Sequence, residues 1–94
     1  MIVDLEEIKN VMKVDNNDDD KTIETLLNAN ISLVKSILRV DDFKEFSAKD
    51  KALIKSAIYY ATTYRYEFIN NADMKLLEFN VRSILNTLRE VKFW

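Results

Sequence analysis

The chain has 94 residues, 48% hydrophobic and 32% charged, which fits one globular domain over residues 1–94. Cys, His and Gly are all absent, which excludes disulfides, thiolate chemistry, the common zinc sites, imidazole catalysis and glycine-dependent phosphate loops. The formal net charge of −2, the acidic N-terminus and the lack of a long apolar run predict a cytoplasmically made protein that is neither a general nucleic-acid binder nor a membrane protein.

The first predicted element is a short helix within residues 4–18. Asp4 is placed to cap it, with Glu7 as its capping-box partner. The apolar positions recur at helical spacing and form one stripe, made of Leu5, Ile8, Val11 and Met12. With neither Gly nor Pro in the chain, the remaining segments are also expected to be helices joined by Asn/Asp loops. The predicted fold class is therefore all-α, a small bundle of about four helices.

An acidic loop precedes the second helix, which is predicted over residues 19–39. Its alternating Asp and Asn resemble the first ligands of a calcium loop, but Asp20 stands where that loop needs Gly and Leu26 where it needs Glu. The acids are instead expected to favour the positive helix N-terminus, and no metal is predicted. Asn30 falls near the apolar stripe of this helix, so we expect it to need a partner at an interface.

The third helix is predicted over residues 47–70, after a loop in which Phe43 and Phe46 cover the edge of the core. Ser47 begins it in a capping-box-like pattern, and Asn70-Asn71 is expected to supply the left-handed residue that ends it. The small residues Ala57 and Ala61, one turn apart, would let another helix approach closely.

Four tyrosines are concentrated on this third helix: Tyr59, Tyr60, Tyr64 and Tyr66. Successive residues of a helix differ by 100°, so these rings point to more than one side. They either cover neighbouring helices or form a protein interface together with Arg65, since Tyr and Arg are enriched in interfaces.

The fourth helix is predicted over residues 74–91, with Asp73 as its cap and three basic residues off its apolar stripe: Arg82, Arg89 and Lys92. These residues allow the hypothesis of a DNA-recognition helix, but they are few and acids interrupt them. The final residues, Phe93-Trp94, either fold back on the core or anchor in the groove of a partner.

Charge is unevenly divided along the chain. Residues 1–46 carry 6 Lys/Arg against 11 Asp/Glu, a balance of −5, and residues 47–94 carry 8 against 5, a balance of +3. Two solvated faces would explain this division, and so would a subunit whose acidic and basic sides meet in a neighbour.

The order and spacing of three segments resemble the head-tail connector (adaptor) family of tailed bacteriophages over nearly the whole chain. They are Leu5-Glu6-Glu7-Ile8-Lys9 running to Asp18-Asp19-Asp20, then Ile54-Lys55-Ser56-Ala57-Ile58 leading to Tyr64, and Val81-Arg82-Ser83-Ile84-Leu85 with Leu88-Arg89. The chain departs from the family at Ser47 to Lys49, where a Pro is frequent, at Thr63-Tyr64, where a Trp is frequent, and at Val40, where Gly is usual.

The resemblance implies a structural, non-enzymatic protein without cofactors. It would assemble, commonly in about twelve copies, as a ring-shaped adaptor between the portal and a tail or stopper protein, complete the head and extend the DNA channel. Its location would be the host cytoplasm during virion assembly and then the head-tail junction. The alternative is a small helical regulatory protein that binds DNA or a host protein. The expected interface residues are Asp18, Asp19, Asp20, Tyr59, Arg65, Tyr66, Arg82, Arg89 and Trp94.

Overall fold

The computed structural model describes residues 2–88, which form four α-helices and contain no strand. The helices are α1 (Leu5–Met12), α2 (Asp20–Leu38), α3 (Ala48–Glu67) and α4 (Met74–Leu85). Helix α3 packs against both α2 and α4, and α1 lies against α2 and α3. The prediction of a small all-α protein with a short first helix is confirmed.

Three of the four helix starts follow the predicted capping pattern. In each, an Asp or Ser side chain accepts a hydrogen bond from the backbone N–H three residues later, which satisfies a donor that the helix itself leaves free. The bonds are Asp4 to Glu7 at 2.9 Å, Ser47 to Asp50 at 3.1 Å and Asp73 to Leu76 at 3.0 Å.

Two helix ends lie where the sequence carries no usual signal. Lys13 after α1 and Arg39 after α2 adopt the left-handed conformation, with φ of 60° and 58°. The next N–H in each case turns back to the helix, from Val14 to the carbonyl of Lys9 and from Val40 to that of Lys35, both at 3.0 Å. The predicted extension of the first helix to residue 18 was therefore wrong, because the chain reverses at Lys13.

The end of α3 also differs from the prediction. Among the described residues, positive φ occurs at Lys13 and Arg39, so Asn70-Asn71 does not supply a left-handed cap. The helix ends at Glu67, and Phe68 has a φ of −115°. Helix α4 ends at Leu85, earlier than predicted, and the rest of its predicted range from residue 89 onward lies outside the described residues.

A single hydrophobic core lies between the helices. Phe43 and Phe46 are buried at its edge, as predicted, with ring centroids 6.3 Å apart. Ala57 and Ala61 are fully buried on α3, where their small side chains leave room for the neighbouring helices. Each helix contributes to the core at helical spacing, through Ile8 on α1, Ile23, Leu27, Val34 and Leu38 on α2, Ile54 and Ile58 on α3, and Leu77, Val81 and Leu85 on α4.

Candidate protein interfaces

The acidic loop, residues 15–19, is held in place by one lysine. Lys9 on α1 is buried, and its Nζ lies 2.7 Å from a carboxylate oxygen of Asp20 and donates to the side-chain oxygen of Asn17 at 2.8 Å. The loop is thus tied to α1 through Asn17 in its middle and through Asp20, the first residue of α2, which directly follows the loop. The ion pair places a positive charge next to the buried oxygen of Asp20, and together with the bond to Asn17 it gives the loop a defined shape.

The three predicted interface acids have different environments. Asp20 is bound by Lys9, and Asp19 accepts a hydrogen bond from the hydroxyl of Tyr66 on α3. Asp18 is exposed, and its carboxylate forms no hydrogen bond or ion pair with residues 2–88. An interface role for all three stays a prediction, and Asp18 is the acid with its carboxylate free to meet another molecule.

All four tyrosine hydroxyls of α3 form hydrogen bonds to other parts of the chain. Those of Tyr59 and Tyr66 donate to carboxylates, whereas that of Tyr60 accepts a bond from the middle of α4 and that of Tyr64 accepts one from the residue that precedes α4. The partners are Glu7 for Tyr59, the side-chain amide of Asn80 for Tyr60 at 2.7 Å, the N–H of Asp73 for Tyr64 at 2.9 Å, and Asp19 for Tyr66. The hydroxyls therefore connect α3 to α1, to the acidic loop and to the α4 region, which favours the first of the two interpretations of this tyrosine group.

The hydrogen bond between Tyr59 and Glu7 shifts the acidity of both groups. It stabilises the phenol next to a carboxylate and, together with burial, raises the pKa of Tyr59 to about 12. The same bond lowers the pKa of Glu7 against an opposing effect of burial, and Lys55, whose Nζ lies 3.1 Å away, lowers it further. The hydrogen bond to Asp19 likewise raises the pKa of Tyr66.

Asn30 has its partners inside the protein. It is fully buried, donates from its amide to the hydroxyl of Thr62 at 3.0 Å, and accepts a bond from the guanidinium of Arg65 at 3.2 Å. The expectation that Asn30 needs an intermolecular partner was wrong, because the polar groups that match it lie across the α2–α3 contact. Arg65, a predicted interface residue, uses one N–H of its guanidinium for this bond within the chain.

The remaining predicted interface residues lie on or after α4. Arg82 is exposed and pairs with Glu78 one turn earlier, with 3.0 Å between the guanidinium and the carboxylate. Arg89 and Trp94 lie outside the described residues.

An exposed apolar surface on α4 and the preceding connection was not predicted. Leu76 and Phe79 lie one turn apart on the side of α4 that faces away from the core, and Phe79 is 67% exposed. A clue was present in the sequence, because both residues fall off the buried stripe of this helix. We define the α3–α4 apolar surface as the exposed residues Phe68, Ile69, Met74, Leu76 and Phe79.

A second surface feature is a cleft of about 810 Å³ between α2, the α2–α3 loop and the start of α3. Its wall includes the apolar side chains of Ile2, Ile31 and Phe43. Four lysines also line it, and we name it the lysine cleft after them: Lys35, Lys44, Lys51 and Lys55. With one acid, Asp42, on the same wall, the lining carries a net charge of +3.

The lysine cleft corrects the simple division of charge between the two halves of the chain. Lys35 and Lys44 belong to the acidic half, and Lys51 and Lys55 to the basic half, yet the fold brings them to one opening. The acidic and basic halves of the sequence therefore do not correspond to separate acidic and basic sides of the folded protein.

The described residues contain neither a cluster of acids that could hold a metal ion nor a helix long and apolar enough to cross a membrane. Comparisons with protein-family models, with curated proteins and with solved structures find no match to this chain.

Proposed function

We propose that this protein is a non-enzymatic assembly protein of the head-tail connector type, a ring-shaped adaptor that joins a bacteriophage portal to a tail or stopper protein. The observation that carries the proposal is the α3–α4 apolar surface, which exposes large apolar side chains although the helices have a complete core of their own. Exposed groups of this kind are typical of protein-binding surfaces.

The geometry of α4 keeps this surface exposed in the single copy. Leu77, Val81 and Leu85 occupy the buried stripe of the helix, so Leu76 and Phe79 cannot turn inward without displacing them. Covering a Phe or Leu side chain with another protein removes apolar area from water at roughly 25 cal/mol per Å². A portal or tail protein would supply that cover in the assembled virion.

The finer assignment draws on the sequence resemblance. The three segments that resemble connector proteins include the acidic loop and parts of helices α3 and α4. In this account the protein assembles in the host cytoplasm as a ring of about twelve copies, completes the head and extends the DNA channel.

The competing proposal, a regulatory protein that binds DNA through α4, has less support. The outward side of α4 presents Leu76 and Phe79, where a recognition helix would present polar and basic groups to base edges. Arg82, a basic residue of α4 on which the DNA hypothesis depends, is paired with Glu78. A protein surface fits this side of the helix better than a DNA groove.

Electron microscopy of the full chain over a range of concentrations tests the ring, and co-sedimentation with the portal protein of the same genome tests docking. We expect closed rings of one copy number and binding that Phe79→Ser weakens, while the exposed control Lys75→Ser on the same helix leaves it unchanged. A protein that forms no rings, or that binds duplex DNA with a steep salt dependence, would contradict the proposal.

A further inference from the structure

Two cationic groups of the lysine cleft form no ion pair with the described part of the chain. The ammonium groups of Lys44 and Lys51 form no ion pair with residues 2–88, and that of Lys35 lies 5.8 Å from the centre of the Phe43 ring. Lys55, in contrast, forms an ion pair with Glu7. The cleft thus offers uncompensated positive charge above an apolar wall, which suits an acidic segment better than a neutral one.

Anionic groups of the acidic loop are equally unpartnered. Asp15 and Asp18 are exposed, and neither carboxylate forms a hydrogen bond or an ion pair within residues 2–88. The contacts of Lys9 with Asn17 and Asp20 hold this loop in shape before any partner arrives. A preorganised loop loses less conformational entropy on binding.

The two charged features form no ion pair with each other within residues 2–88 of one copy. The acidic loop precedes the first residue of α2, whereas Lys35 lies in the last turn of that helix. Sixteen residues of helix separate Asp19 from Lys35, a rise of about 24 Å, which exceeds the Debye length of about 8 Å at physiological ionic strength. Each copy therefore presents both charged features to its neighbours, with Asp15 and Asp18 in the acidic loop and Lys44 and Lys51 in the lysine cleft.

We propose that the lysine cleft of one copy binds the acidic loop of a neighbouring copy, with Asp15 and Asp18 facing Lys44 and Lys51. The inference rests on the proposed ring function and names the contact that would build the ring. Such a contact joins two different surfaces of identical subunits, and repetition of it produces a closed ring when the rotation between subunits closes.

Chemical cross-linking tests the contact, because the chain contains no cysteine of its own. Two single-cysteine proteins, Asn16→Cys in the acidic loop and Ser32→Cys on the wall of the lysine cleft, keep all four charges and are mixed and treated with a short bismaleimide. We expect more of the mixed dimer than random pairing gives, and we expect high salt to remove the excess. A yield of mixed dimer at the random level, or an excess that salt does not change, would overturn the contact.

A charge swap in the same proteins makes the test specific. Lys44→Glu added to the Ser32→Cys protein should lower the cross-linking rate roughly fivefold, and Asp15→Lys added to the Asn16→Cys protein should restore it, since the reversed charges again attract. The control Lys75→Glu, on α4 outside the cleft, should change nothing, and circular dichroism checks that each variant is folded. Failure of the second reversal to restore the rate would overturn the pairing.

This result separates the contact from the ring itself. Rings seen by electron microscopy without enriched mixed dimers would overturn the cleft-to-loop contact and leave the ring proposal standing. Enriched mixed dimers without closed rings would support the contact and overturn the ring.

Discussion

The hydroxyl of Tyr59 on α3 donates a hydrogen bond to the carboxylate of Glu7 on α1, two residues that are 52 positions apart in the sequence. Helix α1 has eight residues, too few to be stable as an isolated helix in water. Its position therefore depends on contacts such as this one. The same carboxylate also meets Lys55, so a single side chain of α1 is held by two side chains of α3.

Replacing Tyr59 with Phe should lower the free energy of unfolding by about 1 kcal/mol at neutral pH, the usual net value of a hydrogen bond. For a domain of this size, that is a fall in melting temperature of about 4–8 °C. Thermal melts followed by circular dichroism would measure it. Unchanged stability would mean that the hydroxyl is equally well hydrated in the unfolded chain.

The raised pKa of Tyr59 predicts a loss of stability at high pH. The unfolded phenol ionises near its ordinary pKa of 10.0 and the folded one near 12, so the contribution is complete below pH 10 and is lost as the pH rises to about 12. Urea titrations of the wild-type protein and Tyr59→Phe should therefore differ at pH 8 and converge toward pH 12. A difference that is constant over this range would contradict the assigned shift.

The lowered pKa of Glu7 predicts the opposite dependence in acid. Its contribution is complete above its ordinary pKa of 4.5 and is lost as the pH falls through the lower folded value. Glu7→Gln should consequently be less stable than wild type at pH 7 and should approach it below pH 4. The pH dependence of the urea midpoint measures both parts of this prediction, with Glu6→Gln on the exposed side of α1 as the control.

Lys9→Met should destabilise the protein by about 2 kcal/mol. The methionine keeps the apolar part of the side chain, but Asp20 and Asn17 lose the donor that orders the acidic loop, and charge-assisted bonds are worth about 1.5–3 kcal/mol. The exposed Lys21→Met is the matched control and should change stability by less than about 0.5 kcal/mol. Equal effects of the two substitutions in urea unfolding would show that Lys9 acts through general charge alone.

Arg39→Gly should stabilise the protein by about 0.5 kcal/mol. A non-glycine residue in the left-handed conformation costs roughly 1–2 kcal/mol, which glycine would avoid. Glycine also makes the unfolded chain more flexible, and this lowers the stability by about 0.4–1 kcal/mol, so a smaller net gain remains. Ala29→Gly, at an exposed position within α2, should instead destabilise by about 1 kcal/mol. A loss of stability in both variants would contradict the observed backbone conformation of Arg39.

Local patterns in the sequence predicted the parts of the fold that depend on neighbours along the chain. The caps at Asp4, Ser47 and Asp73 follow from the spacing of three residues between an acceptor side chain and a free N–H. The end of α1 was missed, and the left-handed conformation after α1 and α2 was not predicted, because Lys13 and Arg39 are residues that normally avoid positive φ.

Features that depend on packing between helices could not be predicted. The partners of Asn30 lie 32 and 35 residues away, and the lysines of the cleft come from two helices and a loop. No helical period brings such residues together, because their proximity depends on the crossing of α2 and α3. The α3–α4 apolar surface is different, because the position of Phe79 outside the apolar stripe of α4 can be read from the sequence. Its exposure could therefore have been predicted.

Absolute molar mass, measured by light scattering over a range of protein concentrations at low and high salt, tests the central claim of ring assembly most directly. The account predicts large closed assemblies of one mass that dissociate as salt screens the contact between the lysine cleft and the acidic loop. A monomer or dimer at every concentration and salt would contradict it.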